Sequence, residues 1–484
     1  MDYILILNFH NFNSKAIAKM LRNSNVYALI KNGNTLVGSV DIQNCKGVIM
    51  CGDYAGSVSG IEVDKAWFQT GLPILALGSC ALALNSMFGG RASEDSISDE
   101  SEAIQYSDEI ESSLKTQTHA LINGRGLLPG DRMRCFAYVR DDICIDIKHT
   151  EKEIYGIQRK FERNDPDSIE LITNFVYDIC HCKDEWDVEK YAHTLIEEAR
   201  NKSTGRSIYC AVSGGMDSAV ASYILKQAVG DELTCIFVDT GFFRENEAEE
   251  IFDFYTNILR LEIRLIDAKD IFAAAIQDIE DNHQKIQLVH KKLSEILEKE
   301  MLKCSSSALL VSGANYNDRL FQNDSENEVT SENSKYEHYY PLKDLFKFEV
   351  KRLAEAFLLP DNIIHRKPFP SAGLALSIIG QATPEKLSMI RRIYEIYSAQ
   401  IQDHNLEKKL WKYSVRLVPL IHLKNKYQVY LRAAPDSQNL VTYAFRMPYD
   451  LLESVSAQVM KEFSHVIRYV LYDLSPIQNL NILE

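Results

Sequence analysis

The sequence predicts an α/β protein in which parallel sheets are covered by helices, followed by a smaller α+β part. Continuous apolar runs, as expected of strands buried on both faces, alternate along the chain with segments of helical periodicity. The apolar runs are Tyr3–Phe9, 47–52, 73–80, 207–215 and 233–241, and helical patterns occupy residues 14–24 and 218–229. Such alternation of strand and helix is typical of parallel sheets with helical crossovers.

From about residue 385 the pattern changes to helix, strands, helix and strand, which indicates a smaller α+β unit. We therefore predict boundaries near residues 190 and 385. Two polar stretches interrupt the pattern, residues 91–118 and residues 323–338. Both are predicted to be solvated loops, because they contain few apolar side chains that could pack.

The bulk composition excludes several classes of function. The formal net charge is −15 and no basic tract is present, so no nucleic-acid partner is expected, because phosphate contacts need Lys and Arg. No apolar run reaches the roughly 20 residues that cross a bilayer, and the N-terminus lacks the features of a secretory signal. A cytoplasmic protein without a membrane partner is expected. Its ten scattered cysteines are expected to be reduced, buried thiols.

The segment Cys210–Leu225 reads as a short strand, a Ser-Gly-Gly turn and a helix. Backbone N–H groups at a helix N-terminus bind anions, and the helix dipole favours negative charge there. Gly214 and Gly215 would let the backbone approach a phosphate closely. Ser213 and Ser218 could donate hydroxyl hydrogen bonds to it. The turn therefore predicts an anion site, with a plain serine-capped turn as the alternative.

Asp217 follows the two glycines and adds a negative charge to this predicted anion site. A carboxylate beside a polyphosphate is out of place unless it holds Mg²⁺, which binds carboxylates together with phosphate oxygens. The turn is not the Gly-x4-Gly-Lys-Ser/Thr phosphate loop, because no lysine follows the glycines. The sequence thus indicates a site for a nucleotide polyphosphate and Mg²⁺.

The residues around this turn resemble a known family. The stretch SGGMDS, residues 213–218, resembles the SGGxDS loop of the N-type ATP pyrophosphatases, and the next strand resembles that of the GMP synthetases. Further matches to GMP synthetases follow in chain order over residues 174–186, 233–250, 267–272, 341–360, 366–380 and 431–460. The resemblance covers nearly the whole chain.

The resemblance implies three domains. Residues 1–190 would form a class I glutaminase-like domain and residues 191–384 an ATP pyrophosphatase domain of the adenine-nucleotide alpha-hydrolase-like (PP-loop) fold. Residues 385–484 would form a small α+β dimerisation domain, and the protein would be a homodimer. In the family, ATP activates the C2 oxygen of xanthosine monophosphate and ammonia then displaces AMP. The implied cofactors are therefore ATP and Mg²⁺.

The resemblance also implies roles for individual residues. Residues that would grip the pyrophosphate are Ser213, Gly214, Gly215, Asp217 and Ser218, with Asp217 also holding the metal. Residues that would lie beside the adenosine are Val212, Asp239, Thr240 and Gly241. Arg244 and Glu247 match the family's Arg and Glu after that strand. Candidate cations for the α-phosphate are Lys343, Lys347 and Arg366. Of these, Lys343 is expected to be catalytic together with Asp217. The alternative for each of the three is a solvated position on the surface.

The N-terminal part departs from the glutaminase pattern at its reactive residues. Cys80 is present in GSCALAL, but Leu82 stands where the family has the second glycine of its nucleophile turn. In IYGIQRKFE, Lys160 takes the place of the family's His, and only Glu162 of His-Pro-Glu remains. A cationic lysine cannot accept the thiol proton as a neutral imidazole does, which leaves His149 as an alternative base. We expect a degenerate glutaminase site that hydrolyses no glutamine.

The acceptor side departs from the family as well. Ser377 stands where the family has Arg, and the C-terminal segment 475–484 lacks the family's lysine. Fewer cations would neutralise a nucleotide monophosphate less well. The acceptor could be xanthosine monophosphate, another purine-like compound, or a different carbonyl or amide.

Three functions remain open from the sequence. The first is an ATP-dependent ligase that uses ammonia as its nitrogen donor. The second is a PP-loop enzyme that uses a sulfur or amine donor supplied by a partner. The third is a non-catalytic nucleotide-binding regulator, which the intact SGGMDS stretch argues against.

Overall fold

The fold is described here from a computed structural model of the chain. It describes residues 2–9, 13–53, 61–107, 114–116, 119–140, 143–162, 165–303, 308–316, 336–364, 366, 372–435, 441–475 and 477–478. The chain divides into two compact units, Met1–Asp187 and Val188–Glu484. The N-terminal unit contains a mixed sheet with five parallel strands and the C-terminal unit a fully parallel sheet, and the predicted α/β class is confirmed. The division into three domains remains a prediction.

The N-terminal unit is built on an eight-stranded sheet with the order β2-β1-β3-β4-β10-β9-β8-β6. Its strands are β1 Tyr3–Asn8, β2 Ala28–Asn32, β3 Cys45–Cys51, β4 Ile74–Leu77, β6 Gln105–Tyr106, β8 Met133–Val139, β9 Ile143–His149 and β10 Ile154–Ile157. A separate antiparallel pair consists of β5 Arg91–Ala103 and β7 His119–Leu128. The helices are α1 Asn13–Asn23, α2 Ser79–Met87 and α3 Pro166–Asn174. The five strands from β2 to β10 run parallel, and the remaining three are antiparallel.

The polar stretch 91–118 does not begin as a loop, and the prediction for that part is wrong. Arg91–Ala103 forms β5, because its backbone groups pair with β7 whatever the polarity of its side chains. Ile97 is buried in this strand. Of the second polar stretch, residues up to 335 lie outside the described residues. Its last part enters a strand, Glu337–Tyr339.

The cysteine prediction is confirmed for most of the described thiols and wrong for one pair. Seven cysteines are free and buried: Cys45, Cys51, Cys80, Cys180, Cys182, Cys210 and Cys235. Cys135 and Cys144 form a disulfide, with their Cα atoms 5.8 Å apart. They lie on the neighbouring antiparallel strands β8 and β9, a proximity that spacing along the chain did not reveal.

The C-terminal unit is built on a five-stranded parallel sheet with the order β13-β12-β11-β14-β15. Its strands are β11 Ser207–Val212, β12 Leu233–Asp239, β13 Glu262–Asp267, β14 Ala308–Ser312 and β15 Glu337–Tyr339. The helices that accompany it are α4 Val188–Ser203, α5 Met216–Val229, α6 Glu247–Asp253, α7 Lys269–Ile276, α8 Asn282–Leu302, α9 Lys347–Ala356 and α10 Asp361–Ile364. Helix α5 packs against both α4 and α9.

The remainder of this unit has mixed α+β structure. Its elements are α11 Pro384–Asp403, β16 Leu410–Pro419, β17 Tyr427–Pro435, β18 Val441–Thr442, α12 Tyr449–Phe463, β19 Ile467–Tyr472 and β20 Ile477–Gln478. Strands β16, β17 and β19 form one sheet, and β18 pairs with β20. One hydrophobic core joins this part to the parallel sheet, since Phe242 and Phe272 share a cluster with Tyr397, Leu417 and Val455. Across the described residues, no helix is both long enough and apolar enough to cross a membrane.

Candidate functional site

The Ser-Gly-Gly turn lies at the carboxyl edge of the parallel sheet in the C-terminal unit. It follows β11, the central strand, which pairs with β12 on one side and β14 on the other. Gly215 precedes α5 with an extended backbone (φ −82°, ψ 153°), and among the described residues no side chain caps the helix there. The first N–H groups of α5 therefore remain available to an anion. The carboxyl edge is where open α/β sheets bind ligands.

A network of hydroxyl groups, of which those of Ser218 and Tyr255 are buried, holds the turn in shape. The Ser218 hydroxyl lies 3.0 Å from Ser213 Oγ and 2.9 Å from the carbonyl oxygens of Ser213 and Gly215. Tyr255 Oη donates to the Ser213 carbonyl at 3.0 Å and lies 3.1 Å from the Ser218 hydroxyl. Burial raises the pKa of Tyr255, so it remains a neutral donor. Ser218 thus faces into the loop, and the motif gave no signal for Tyr255.

At two positions near this turn, Gly214 and Gly313, neighbouring atoms lie so close to the backbone that they leave no room for a side chain. A Cβ on Gly214 would lie 2.6 Å from Arg366 Nη1 and 2.7 Å from Ile251 Cδ1. A Cβ on Gly313, just after β14, would lie 2.7 Å from the backbone of Asp217 and from the Ser218 nitrogen. The motif itself does not point to Gly313, because β14, which Gly313 follows, is far from the motif along the chain.

Asp217 carries the unsatisfied polar atom of the loop. One carboxylate oxygen, Oδ2, pairs with the ammonium of Lys347. The other, Oδ1, is buried and has no hydrogen-bond partner within the described part of the chain. A buried carboxylate oxygen without a partner fits a cation ligand. The described residues contain no cluster of three or more His, Cys, Asp or Glu suited to a metal, so Mg²⁺ here would also need phosphate oxygens.

Arg366 places a guanidinium group over the turn. Its Nη2 is 2.7 Å from Glu247 Oε1, and the Glu247 carboxylate is almost fully buried. The other oxygen of Glu247 accepts the backbone N–H of Arg244 at 2.8 Å. Glu247 therefore fixes Arg366 beside Gly214, as a carboxylate commonly orients an arginine.

The residues predicted beside the adenosine cluster at the end of β12. Asp239 Oδ1 accepts the Gly241 N–H at 2.9 Å, and Oδ2 lies 3.1 Å from Lys269 Nζ. That contact raises the pKa of Lys269. Thr240 Oγ1 accepts the N–H of Phe242 at 3.3 Å. Gly241 has φ +76°, a backbone conformation that favours glycine.

Val212 ends β11, the strand next to β12, and is also buried. The structure thus brings together at one sheet edge all nine residues predicted for pyrophosphate and adenosine.

Lys343 lies apart from this cluster, which corrects the prediction that it acts there with Asp217. It lines a cavity beside α4 together with Glu198, and no contact between Lys343 and the turn occurs among the described residues. Lys347 occupies the loop position instead. Lys343 belongs to the turn before α9, whereas Lys347 is the first residue of α9, which packs on α5.

In the N-terminal unit, Cys80 lies inside the first turn of α2 and is buried. The unusual backbone conformation (φ 61°, ψ −129°) belongs to Gly78, two residues before the thiol. Leu82 fills the position of the family's second glycine and is also buried. Burial raises the pKa of Cys80 well above its ordinary range, and Cys51 adds to the shift. A nucleophilic thiol needs the opposite shift.

His149 lies at the other end of the strands from Cys80. Strand β9 runs antiparallel to β10, so His149 is near the level of Ile154, which pairs with Ile74 at the start of β4. Cys80 follows the end of β4. The Nδ1 atom of His149 accepts two backbone N–H groups, at 3.0 Å and 3.2 Å, and burial lowers its pKa. The alternative in which His149 serves as the base of Cys80 is therefore wrong.

The carboxyl end of β10 carries a buried ion pair. Arg159 Nε lies 2.7 Å from Asp146 Oδ2, and both side chains are inaccessible to solvent. The next residue, Lys160, is half-buried and its backbone N–H donates to Leu121 O at 2.9 Å, while Glu162 is exposed. The IYGIQRKFE stretch contains Arg159 but does not predict this ion pair, because Asp146 lies on a different strand, β9.

Comparison with known proteins agrees with this geometry. Residues 188–319 match the NAD synthase family. The glutamine-hydrolysing GMP synthases of Bacillus cytotoxicus, Bacillus cereus and Bacillus anthracis are each 27% identical to the chain over 499 residues, covering 98% of this chain and 97% of theirs. The chain is GMP synthetase-like and carries a PP-loop ATP pyrophosphatase region, so the predicted resemblance is confirmed.

Proposed function

We propose that this protein uses ATP to adenylate a carbonyl oxygen on a small purine-like acceptor and then replaces that oxygen with nitrogen. In the first step the acceptor oxygen attacks the α-phosphorus, and pyrophosphate leaves. In the second step ammonia attacks the activated carbon, and AMP leaves with the oxygen while a proton passes to solvent. The relatives named GMP synthase suggest xanthosine monophosphate as the first acceptor to test.

The observation that carries this proposal is the buried Oδ1 of Asp217, which has no partner in the described part of the chain and lies beside the open N-terminus of α5. The backbone N–H groups after Gly215 would bind pyrophosphate oxygens, while Lys347 and Arg366 would neutralise the charge that develops on the leaving group. Asp217 would hold Mg²⁺, which when bound neutralises phosphate charge. Glu247 keeps Arg366 in place, and the turn after β12 would receive the adenosine.

We also propose that the nitrogen comes from free ammonia. Cys80 has a raised pKa, lies within a helix, and has no histidine at the position where glutaminases carry their base. A positioned general base typically contributes about 10²–10⁴-fold to the rate. We therefore expect no glutamine hydrolysis and an N-terminal unit that serves a structural role.

The adenylation is tested by pyrophosphate release with ATP, Mg²⁺, ammonium and a panel of purines, nucleosides and nucleotides. Asp217→Asn should lower the rate about 10²-fold or more, because it removes the charge that would bind Mg²⁺. The matched control is Asp231→Asn, since Asp231 also pairs with a lysine but lies 98% exposed beyond the far end of α5. Equal activity in both variants, or bound ATP without turnover in the wild type, would contradict the proposal.

The nitrogen source is tested in the same assay with glutamine in place of ammonium. We expect AMP formation with ammonium alone, no glutamate release, and no effect of Cys80→Ala. Glutamate that appears with the wild type and disappears with Cys80→Ala would mean that the glutaminase site works.

A further inference from the structure

The turn that follows β12 lies outside regular secondary structure, since β12 ends at Asp239 and α6 begins at Glu247. The backbone groups of such a segment need partners other than those of a helix or a strand ladder. Two of its N–H groups bond within the turn, to Asp239 and to Thr240. The donors for its carbonyl groups come from much further along the chain.

Three consecutive carbonyls of this turn, those of Gly241, Phe242 and Phe243, accept hydrogen bonds from two residues. Arg391 Nη2 donates to the Gly241 carbonyl at 2.8 Å, and Arg391 Nε donates to the Phe243 carbonyl at 3.0 Å. Between these two bonds, the Leu374 N–H donates to the Phe242 carbonyl at 2.9 Å. One guanidinium group therefore holds the turn on both sides of Phe242.

Arg391 reaches the turn from a helix that is fixed by the core. It lies in α11, and the preceding residue, Ile390, is fully buried in the hydrophobic cluster that joins this helix to the parallel sheet. Arg391 pairs with no carboxylate in the part of the chain that the structure describes. The next residue, Arg392, instead pairs with Glu395 and Glu462 on the surface. The two neighbouring arginines thus have different roles, and that of Arg391 is to bind backbone carbonyls.

We propose that Arg391 is a positioning residue for the adenosine part of ATP. It holds the turn that contains Thr240 and Gly241 and that follows Asp239, three residues expected beside the adenosine at the carboxyl edge of the sheet. Arg391 acts through this turn and does not touch the nucleotide. The inference rests on the proposed function, because it takes this turn as the adenosine site. It gives the mixed α+β part of the unit a role in nucleotide binding.

The Ser-Gly-Gly turn has separate support. The Ser218 hydroxyl donates to the Gly215 carbonyl and Tyr255 donates to the Ser213 carbonyl, and neither bond involves α11. Loss of the Arg391 side chain should therefore weaken the binding of adenosine more than the binding of pyrophosphate. A general loss of structure would instead weaken both.

The test is isothermal titration calorimetry of the full chain with Mg²⁺ and two probes, α,β-methylene ATP and inorganic pyrophosphate. The first probe contains adenosine and cannot release pyrophosphate, and the second contains no adenosine. We expect Arg391→Met to lose about tenfold or more in affinity for the ATP analogue and at most about twofold for pyrophosphate. Arg391→Lys keeps the charge but lacks the planar fork that reaches two carbonyls, so its affinity for the analogue should be intermediate.

The matched control is Arg392→Met, which removes the neighbouring arginine, 45% exposed and paired on the surface. It should bind both probes like the wild type. Gly373→Ala perturbs the same turn from its other side, because the new Cβ would clash with the Phe242 carbonyl. It should show the same preferential loss of the ATP analogue and serves if Arg391→Met fails to fold.

The outcomes separate this inference from the proposed function on which it rests. Equal losses for the two probes would overturn the inference alone, and so would unchanged affinity for the ATP analogue in Arg391→Met and Gly373→Ala. A wild-type protein that binds neither probe would overturn the proposed function together with the inference.

Discussion

Asp217 and Ser218 are neighbours in the Ser-Gly-Gly turn, but their side chains have opposite surroundings. The Ser218 hydroxyl has several partners inside the turn, including Tyr255. Asp217 keeps one buried oxygen without a partner among the described residues. Since an unsatisfied buried acceptor costs about 1–3 kcal/mol, its retention is better explained by ligand binding than by stability. Ser218 shapes the turn, whereas Asp217 is available to a ligand.

Gly313 provides a test of this turn at the scale of one residue. In Gly313→Ala the new Cβ would lie 2.7 Å from backbone atoms of Asp217 and Ser218, which cannot rotate away. We expect the start of α5 to shift and the free energy of unfolding to fall by about 1–3 kcal/mol. The rate of pyrophosphate release should also fall, because the shift would move the backbone N–H groups that are expected to bind the pyrophosphate. Urea unfolding and the activity assay measure both effects.

The control for this substitution is Gly38→Ala, because no atom of the described residues lies within 4 Å of a Cβ built at Gly38. That variant should match the wild type in both measurements. A Gly313→Ala protein with wild-type stability and activity would contradict the prediction that close packing of Gly313 fixes the start of α5.

At the scale of elements, the segment 372–380 lies between α8 and the turn after β12 and is hydrogen-bonded to both. Gly373 has φ +48°, and the next residue, Leu374, donates its N–H to the Phe242 carbonyl at 2.9 Å. On its other side, the buried Lys285 Nζ donates to the carbonyls of Ala375, Ile378 and Gly380 at 3.3 Å, 2.8 Å and 2.7 Å. One ammonium group therefore holds a whole segment beside the expected adenosine site.

Replacement of this ammonium tests its role. Lys285→Met leaves three carbonyls without a donor, and we expect the free energy of unfolding to fall by about 1–3 kcal/mol. Because the segment borders the expected adenosine site, KM for ATP should rise more than kcat falls. Lys291→Met, at an exposed position on the same helix, is the control. A Lys285→Met protein that keeps both its stability and its KM would rule out the anchoring role.

The same residue gives a pH dependence. Burial lowers the pKa of Lys285 from 10.5 to about 8. Between these values the unfolded chain holds a proton that the folded chain has lost, so the stability of the wild type rises with pH relative to Lys285→Met. Urea unfolding of both proteins at pH 7 and at pH 9.5 measures the difference, and a smaller difference at the higher pH would contradict the assigned shift.

At the scale of the whole molecule, the sheet of β16, β17 and β19 leaves β19 at one edge. Tyr469 and Leu471 in this strand are 55% and 38% exposed. At the opposite edge Ile378 bridges to Leu417 of β16. An edge strand with exposed apolar side chains is a surface suited to pairing with another chain.

We predict that the protein is a homodimer and that β19 lies in its interface. Light scattering at micromolar concentration should give twice the mass of one chain. Leu471→Lys should shift the protein toward the monomer, because it places a charge in an apolar contact. Ile421→Lys is the control, since Ile421 is 93% exposed in the β16–β17 connection. A monomeric wild type would contradict the prediction.

The sequence by itself determined the α/β architecture, the resemblance to the GMP synthetases and the position of the turn. These depend on local signals. Apolar runs form buried strands. A Ser-Gly-Gly stretch between a strand and a helix places the backbone N–H groups of the helix N-terminus at the edge of the sheet. The departures at Leu82 and Lys160 were visible for the same reason, since each is the wrong residue type at a known motif position. Both kinds of signal can be read from a short stretch of sequence, because each depends on the residues of that stretch alone.

Only the tertiary structure decided which side chains meet. Lys343 and Lys347 are four residues apart, and no property of either distinguishes the one that reaches Asp217. The packing of α9 on α5 makes that choice. Residues 91–103 became a strand because β7 pairs with them, although their composition is that of a loop. Contacts between distant elements depend on how the elements pack, and packing is a property of the folded chain.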